Sequence, residues 1–411
     1  MDFWTDPYLF LVNWLHGLLV GWGLPDAIAS FILMFAGAFV LAMGAMLFVL
    51  GLIWFERKLV GRFQDRFGPN RVGPWGIIQP LADMLKIFTK EHITPAGVDP
   101  LPYNLGPVLA VAAVLAIWAV LPFTISLVGA DLDVSVLYVV AIGGLGEIAV
   151  VLSGWGSNNK YALLAAFRSV AQLLSYEVPL VIALLVPVML SGSLSLNQIV
   201  REQGVWYIVL APVAAFIFFI ASIAEVGRSP FDLTEAESEL VAGFNIEYSG
   251  LKFGMFYVAD FLHAFTISLL FAVLFLGGWR GPYAEQYPLL GLVYFMLKAG
   301  AVYFINIWMR ASFPRFRIDQ MMGISWKLLT PLAIGAVILT AVIDKLLPGG
   351  ELLPYGDYVR VGVMLGANLV LVVIAGALMA LQKRKHMLQE FPIAASKGFT
   401  VRDVSVNRGT K

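Results

Sequence analysis

Between residues 224 and 248 the chain sets Glu225, Asp232, Glu235, Glu237, Glu239 and Glu247 among apolar neighbours, with Arg228 as the sole base. Carboxylates this close titrate as a set, and a set can hold or pass protons when a neighbouring charge changes. On a helix Glu235 and Glu239 would be i,i+4 and would repel by roughly 0.2–0.5 kcal/mol. A solvated acidic loop is the usual alternative. The interleaved Phe231, Leu240, Phe244 and Tyr248 argue against full solvation.

A second group lies in or just beneath long apolar segments: Glu147, Glu177, Asp260, His263 and Lys298. Each is costly in hydrocarbon unless paired, protonated or hydrated, so a functional role is the default expectation. Glu177 precedes Pro179, where a kink would free backbone groups. An ordinary structural ion pair is the competing reading for Lys298. For His263 it is a packing residue that makes a hydrogen bond.

A third constellation runs Glu56-Arg57-Lys58, Arg62, Gln64-Asp65-Arg66 and then Gly68-Pro69-Asn70-Arg71-Val72-Gly73-Pro74. The density of Gly, Pro and Asn bends the backbone into a particular shape, suited to a docking surface or the mouth of a cavity. It leads into residues 77–90. There Ile77, Ile78, Leu81, Met84, Leu85 and Phe88 form one helical stripe, and Gln79, Asp83, Lys86 and Lys90 face away from it. That pattern predicts an amphipathic helix in the membrane interface, with Pro80 tolerated in its first turn. A fourth group, Arg310 to Asp319, closes an apolar segment with Arg310, Arg315 and Arg317 around Pro314.

The elements that must carry these groups follow from composition. Of 411 residues, 60% are hydrophobic and 13% charged, with a mean hydropathy of +0.83. Lipid is the natural second solvent for such a chain. Bilayer-length apolar runs fall near 30–55, 104–126, 134–154, 171–191, 206–226, 254–277, 289–310, 327–346 and 359–381. The fold class expected is therefore all-α, a polytopic membrane protein of about nine transmembrane helices plus an amphipathic helix at the cytoplasmic face. Alternating the spans leaves only Arg201, Arg280, Lys345 and Arg360 on one side and Lys298 within a span, out of 27 Lys and Arg. The positive side is cytoplasmic. Residues 1–29 are expected to be an interfacial segment without a cleaved signal, 30–381 the helical domain, and 382–411 a basic tail. Cysteine is absent, which removes disulfides, iron–sulfur ligation and thiolate zinc. His16, His92, His263 and His386 are scattered, and no metal site is expected.

The order and content of these stretches resemble the complex I subunit 1 family, the quinone-site membrane component of bacterial NADH-quinone oxidoreductase. The pieces that carry the likeness are Glu56–Pro74, Gln79-Pro80 through Asp83, Lys86 and Lys90-Glu91, Lys160-Tyr161 through Ser175-Tyr176-Glu177, the whole 224–248 run, and Arg310 to Asp319. They cover roughly residues 50 to 330. One departure is Gly227, where the family usually has Asn before Arg-x-Pro-Phe-Asp.

The resemblance implies that the chain forms the membrane part of a chamber for a quinone of the ubiquinone or menaquinone type. Carried over by position, Glu56, Arg57, Arg62, Arg66, Asp83, Lys86, Phe231, Asp232 and Arg310 would line or shape it. Glu177, Glu225, Asp232, Glu235, Glu237, Glu239, Glu247, Asp260 and Lys298 would couple quinone reduction to proton pumping. FMN and iron–sulfur clusters would sit on partner subunits, and this chain would hold no redox centre. Cytoplasmic quinone-site and iron–sulfur subunits, adjacent membrane subunits and lipid would be its partners, and nucleic acid would not. The related membrane component of energy-converting hydrogenases, a secondary cation/proton transporter and a purely structural anchor are the other classes open to these residues.

Overall fold

The computed structural model describes residues 6–232, 241–346 and 358–390, with side chains in the last helix described for 360–377. The described residues are helical with short connections: α1 Pro7–Gly21, α2 Asp26–Phe63, α3 Gln79–Thr89, α4 Pro100–Trp118, α5 Ser135–Gly156, α6 Lys160–Ser191 and α7 Leu196–Glu202. They continue as α8 Tyr207–Leu210, α9 Pro212–Val226, α10 Gly250–Phe275, α11 Pro288–Ser312, α12 Ile318–Ile324, α13 Thr330–Leu346 and α14 Tyr358–Glu390. Eight helices, with α12 and α13 counted as one, are long and apolar enough to cross a bilayer.

The expected span at 206–226 is divided. Ala211 adopts φ −132°, ψ 63° ahead of Pro212, separating α8 from α9. Two other boundaries move. The 38 residues of α2 and 32 of α6 correspond to about 57 and 48 Å of helix, against a hydrocarbon core of about 30 Å. Residues 160–170, expected in a connection, are the first turns of α6, capped by the Asn159 side chain on the Tyr161 amide. An apolarity count sees only what lipid covers, not how far a helix continues beyond it.

The hub is α10. Buried residues make up 83% of its apolar window, and α2, α4, α9 and α11 pack around it. Trp118 Nε1 donates to Thr266 Oγ1 at 2.7 Å within that packing.

Two prolines inside the helices, Pro107 and Pro179, free carbonyls that find partners elsewhere in the fold. Pro107 cannot donate to the Tyr103 carbonyl, which instead accepts from the Tyr248 hydroxyl at 3.1 Å. Pro179 leaves the Ser175 carbonyl free, and the Ser325 hydroxyl donates to it. Ser325 opens the π-helical turn Ser325–Leu329 that links α12 to α13. At the α8/α9 break, Leu210 O accepts from Asn368 Nδ2 of α14 at 3.2 Å.

Candidate functional site

The C-terminal end of α2 places Glu56 inward, 4% exposed. Arg228 Nη1 donates to its Oε2 at 2.7 Å, and the Tyr303 hydroxyl donates to the same oxygen at 2.9 Å. Arg310 Nη1 pairs with Oε1. Arg228 Nη2 lies 3.5 Å from Asp260 Oδ2, so two acids and two bases form one balanced group. Burial opposes the charge on Arg228, but Glu56 and Asp260 outweigh it and hold the guanidinium protonated.

One residue further on, Arg57 turns the other way and pairs with Asp83 of α3. Gln79 Nε2 also donates to Asp83, at 3.2 Å. Helix α3 packs on α2 and α10, and the contact with α10 is close: a Cβ at Gly254 would meet Ile87 at 2.8 Å. The apolar stripe of Leu81, Leu85 and Phe88 stays exposed, the side lipid would cover. Between α3 and the start of α10 lies a pocket of about 490 Å³, lined by Arg57, Asp83, Lys86, Lys90, Phe253 and Tyr257 among others.

The turn that delivers α3 is tightly built. Lys58 Nζ donates to Pro69 O at 2.8 Å, and a Cβ at Gly76, whose φ is +77°, would meet Pro69 O at 2.3 Å. The same turn leaves Phe67 94% and Trp75 73% exposed. Arg62 and Arg66 are on this outer surface, with Arg66 Nε donating to Gln64 Oε1 at 2.7 Å.

Deeper in the helices, Glu147 of α5, Glu177 of α6, Glu225 of α9, and Asp260 and His263 of α10 line a single cavity of about 150 Å³. His263 Nε2 stands 3.8 Å from Glu225 Oε1. Gly143 and Gly146 of α5 leave room on one wall. Most of the lining is apolar, so these five ionisable groups are the main polar partners a water there would have. The structure thus gathers residues that are far apart in the chain, and it adds Glu147 and His263, which the sequence singled out without a firm role.

Other residues fall elsewhere. The Lys298 amine donates to the carbonyls of Gly278 (3.0 Å) and Arg280 (2.8 Å), and lies 5.4 Å from the Trp206 ring. It therefore pins the loop between α10 and α11, on the side away from α3. Glu247 sits at the base of α6, where its Oε1 accepts from Asn159 Nδ2 at 2.6 Å. Phe231 is 3% exposed, between the rings of Tyr176 (5.3 Å) and Phe316 (5.5 Å), and Gln172 Nε2 donates to its carbonyl at 2.6 Å. Asp232 follows it, half-buried, at the start of the acidic run. Glu235, Glu237 and Glu239, and the tail from 391, lie outside the described residues. Reading the sequence missed Arg228 and Tyr257 as site residues. Arg228 could have been found as the only base in an acidic stretch.

These features define a multi-pass helical membrane protein with ionisable side chains clustered in its interior and a charged pocket at one face. The family model described as NADH dehydrogenase matches residues 36–341. The H subunit of NADH-quinone oxidoreductase from Dehalococcoides mccartyi (strain CBDB1) is 46% identical over 293 residues, covering 71% of this chain and 82% of that one. Its counterpart from Anoxybacillus flavithermus (strain DSM 21510 / WK1) is 46% identical over 315 residues, 75% of this chain and 94% of its own. The counterpart from Vesicomyosocius okutanii is 41% identical over 358 residues, with coverages of 84% and 98%. The chain belongs to this family of bacterial membrane subunits, and α14 lies beyond the segment matched by the family model.

Proposed function

We propose that the chain forms the membrane-embedded wall of a quinone-reduction chamber and couples that reduction to proton movement through its interior acids. The observation that carries the reading is the single cavity on which Glu147, Glu177, Glu225, Asp260 and His263 converge from four helices. Ionisable groups held together at membrane depth are costly, and a proton path is the usual return for them. The pocket beside α3 supports the other half. Its Arg57–Asp83 pair and Lys86 offer donors and an acceptor to a quinone headgroup, and its outer wall is the amphipathic helix through which an apolar tail would enter from lipid.

Electrons would come from NADH through partner subunits carrying FMN and iron–sulfur clusters. The exposed Phe67 and Trp75 beside Arg62 and Arg66 suit a soluble subunit capping the chamber from the cytoplasm. Two electrons and two protons convert quinone to quinol. Withdrawing those protons from acids nearby leaves uncompensated negative charge in a low-dielectric site, which redistributes protons along the remaining carboxylates. Glu235, Glu237, Glu239 and Glu247 would extend that chain, with Asp232 and Phe231 at the root of their loop. Glu56, Arg228 and Arg310 hold the chamber's base in shape.

The test is Asp83→Asn in membranes containing the assembled complex. NADH-driven quinone reduction is expected to be lost while NADH oxidation by an artificial acceptor persists. Unchanged quinone reduction would remove Asp83 from the chamber.

A further inference from the structure

The pocket beside α3 and the acid cavity share two lining residues, Phe253 and Tyr257 of α10. These two rings are the partition between them. Phe253 has no proton to give, so the Tyr257 hydroxyl is the protonatable group on that partition.

We propose that Tyr257 relays protons between the acid cavity and the pocket beside α3, a role that rests on the function proposed above. Its ring lines the pocket together with Arg57, which in turn holds Asp83. A guanidinium only donates, so a phenol on the same wall keeps its own hydrogen free to donate elsewhere. On the pocket side Lys86, Lys90 and the Arg57–Asp83 pair line the wall. On the cavity side Asp260 and His263 follow at i+3 and i+6, about 4.5 and 9 Å further along the helix axis. Glu225 comes next, across from His263. One face of α10 thus offers protonatable groups in succession from the partition into the cavity.

The step balances without a further reactant. Tyr257 gives its hydroxyl proton to the pocket, where the reduced quinone takes it up, and receives one from the cavity, ending unchanged. The electrons are those NADH supplies in the parent reaction.

Tyr257→Phe in the assembled complex tests this. The ring would still pack on Phe253 and Phe261, at 6.4 and 4.7 Å between centroids. The expected result is roughly hundredfold lower kcat for NADH-driven quinone reduction, the lower end of the range for lost proton-transfer groups. The quinone KM should stay within about twofold, the solvent deuterium isotope effect on kcat should rise, and the artificial-acceptor rate should be unchanged. Wild-type kcat and isotope effect, or a raised KM with kcat unchanged, would overturn the relay. Tyr257→Gln keeps a polar side chain on the Arg57 side of the partition but has no phenolic proton to pass, and is expected to match the Phe variant. Full turnover in the Gln variant would leave Tyr257 a polar wall residue with no part in the proton step. Asp83→Asn and Glu225→Gln, measured alongside, separate the two layers. If they impair quinone reduction and Tyr257→Phe does not, the relay alone fails. If neither of them affects quinone reduction or pumping, the underlying function fails.

Discussion

Glu56 carries an unusual share of the charge balance for one side chain. It accepts from Arg228, Arg310 and Tyr303 while almost wholly buried. Removing one member of a buried ion pair costs about 3–5 kcal/mol, mostly because the survivor is left uncompensated. Glu56→Gln is therefore expected to cost at the lower end of that range, since Arg228 retains Asp260 and Arg310 is 37% exposed. The loss should appear as reduced assembled complex on native gels and a lower unfolding temperature in detergent. Normal assembly and stability would show that the four charges are not interdependent. Each of these residues was visible in the sequence as an ionisable group beside an apolar run. Their partnership was not, because 172 residues separate Glu56 from Arg228 and 254 separate it from Arg310. Tyr257 was hidden for a different reason: an aromatic residue in an apolar helix looks like packing until the two cavities it divides are seen.

At the scale of the element, the prolines at 107 and 179 are matched by distant hydroxyls. The apolar runs and the prolines within them are plain in the sequence, and they place most of the spans. What answers each freed carbonyl is a long-range fact. Tyr248 caps the carbonyl left by Pro107, and burial pushes its phenol up to about 12, so it remains a donor throughout the physiological range. It also stacks on Tyr103 at 4.3 Å between ring centroids. Tyr248→Phe keeps the stack and removes the cap. A buried carbonyl left without a partner costs about 1–3 kcal/mol. The expected readout is faster amide hydrogen exchange at the first turns of α4, with the rest of the helix unaffected. Uniform exchange in both proteins would mean that the kinked helix satisfies Tyr103 O in another way.

At the scale of the molecule, the apolar runs foretold the long helices, which match them apart from the split at Ala211. Helix α14 closes that split with Asn368, and its buried Arg360 pairs with Asp344 of α13. Truncation after residue 346 would expose the Leu210 carbonyl and leave Asp344 alone. Less assembled complex is expected on native gels, with the quinone-reduction rate per assembled complex retained. A lost rate at normal abundance would instead give α14 a part in turnover. The group around Glu56 also carries a consequence for biogenesis. Its second arginine emerges from the ribosome 254 residues after it, which at bacterial or slower synthesis rates is roughly 10 to 50 s. For that interval an ionised carboxylate must wait without Arg310, so the nascent α2 has to keep Glu56 at the aqueous edge of the insertion machinery. The lock can close only when the sixth of the eight long helices arrives, which makes the last arginine a checkpoint on the insertion of everything between.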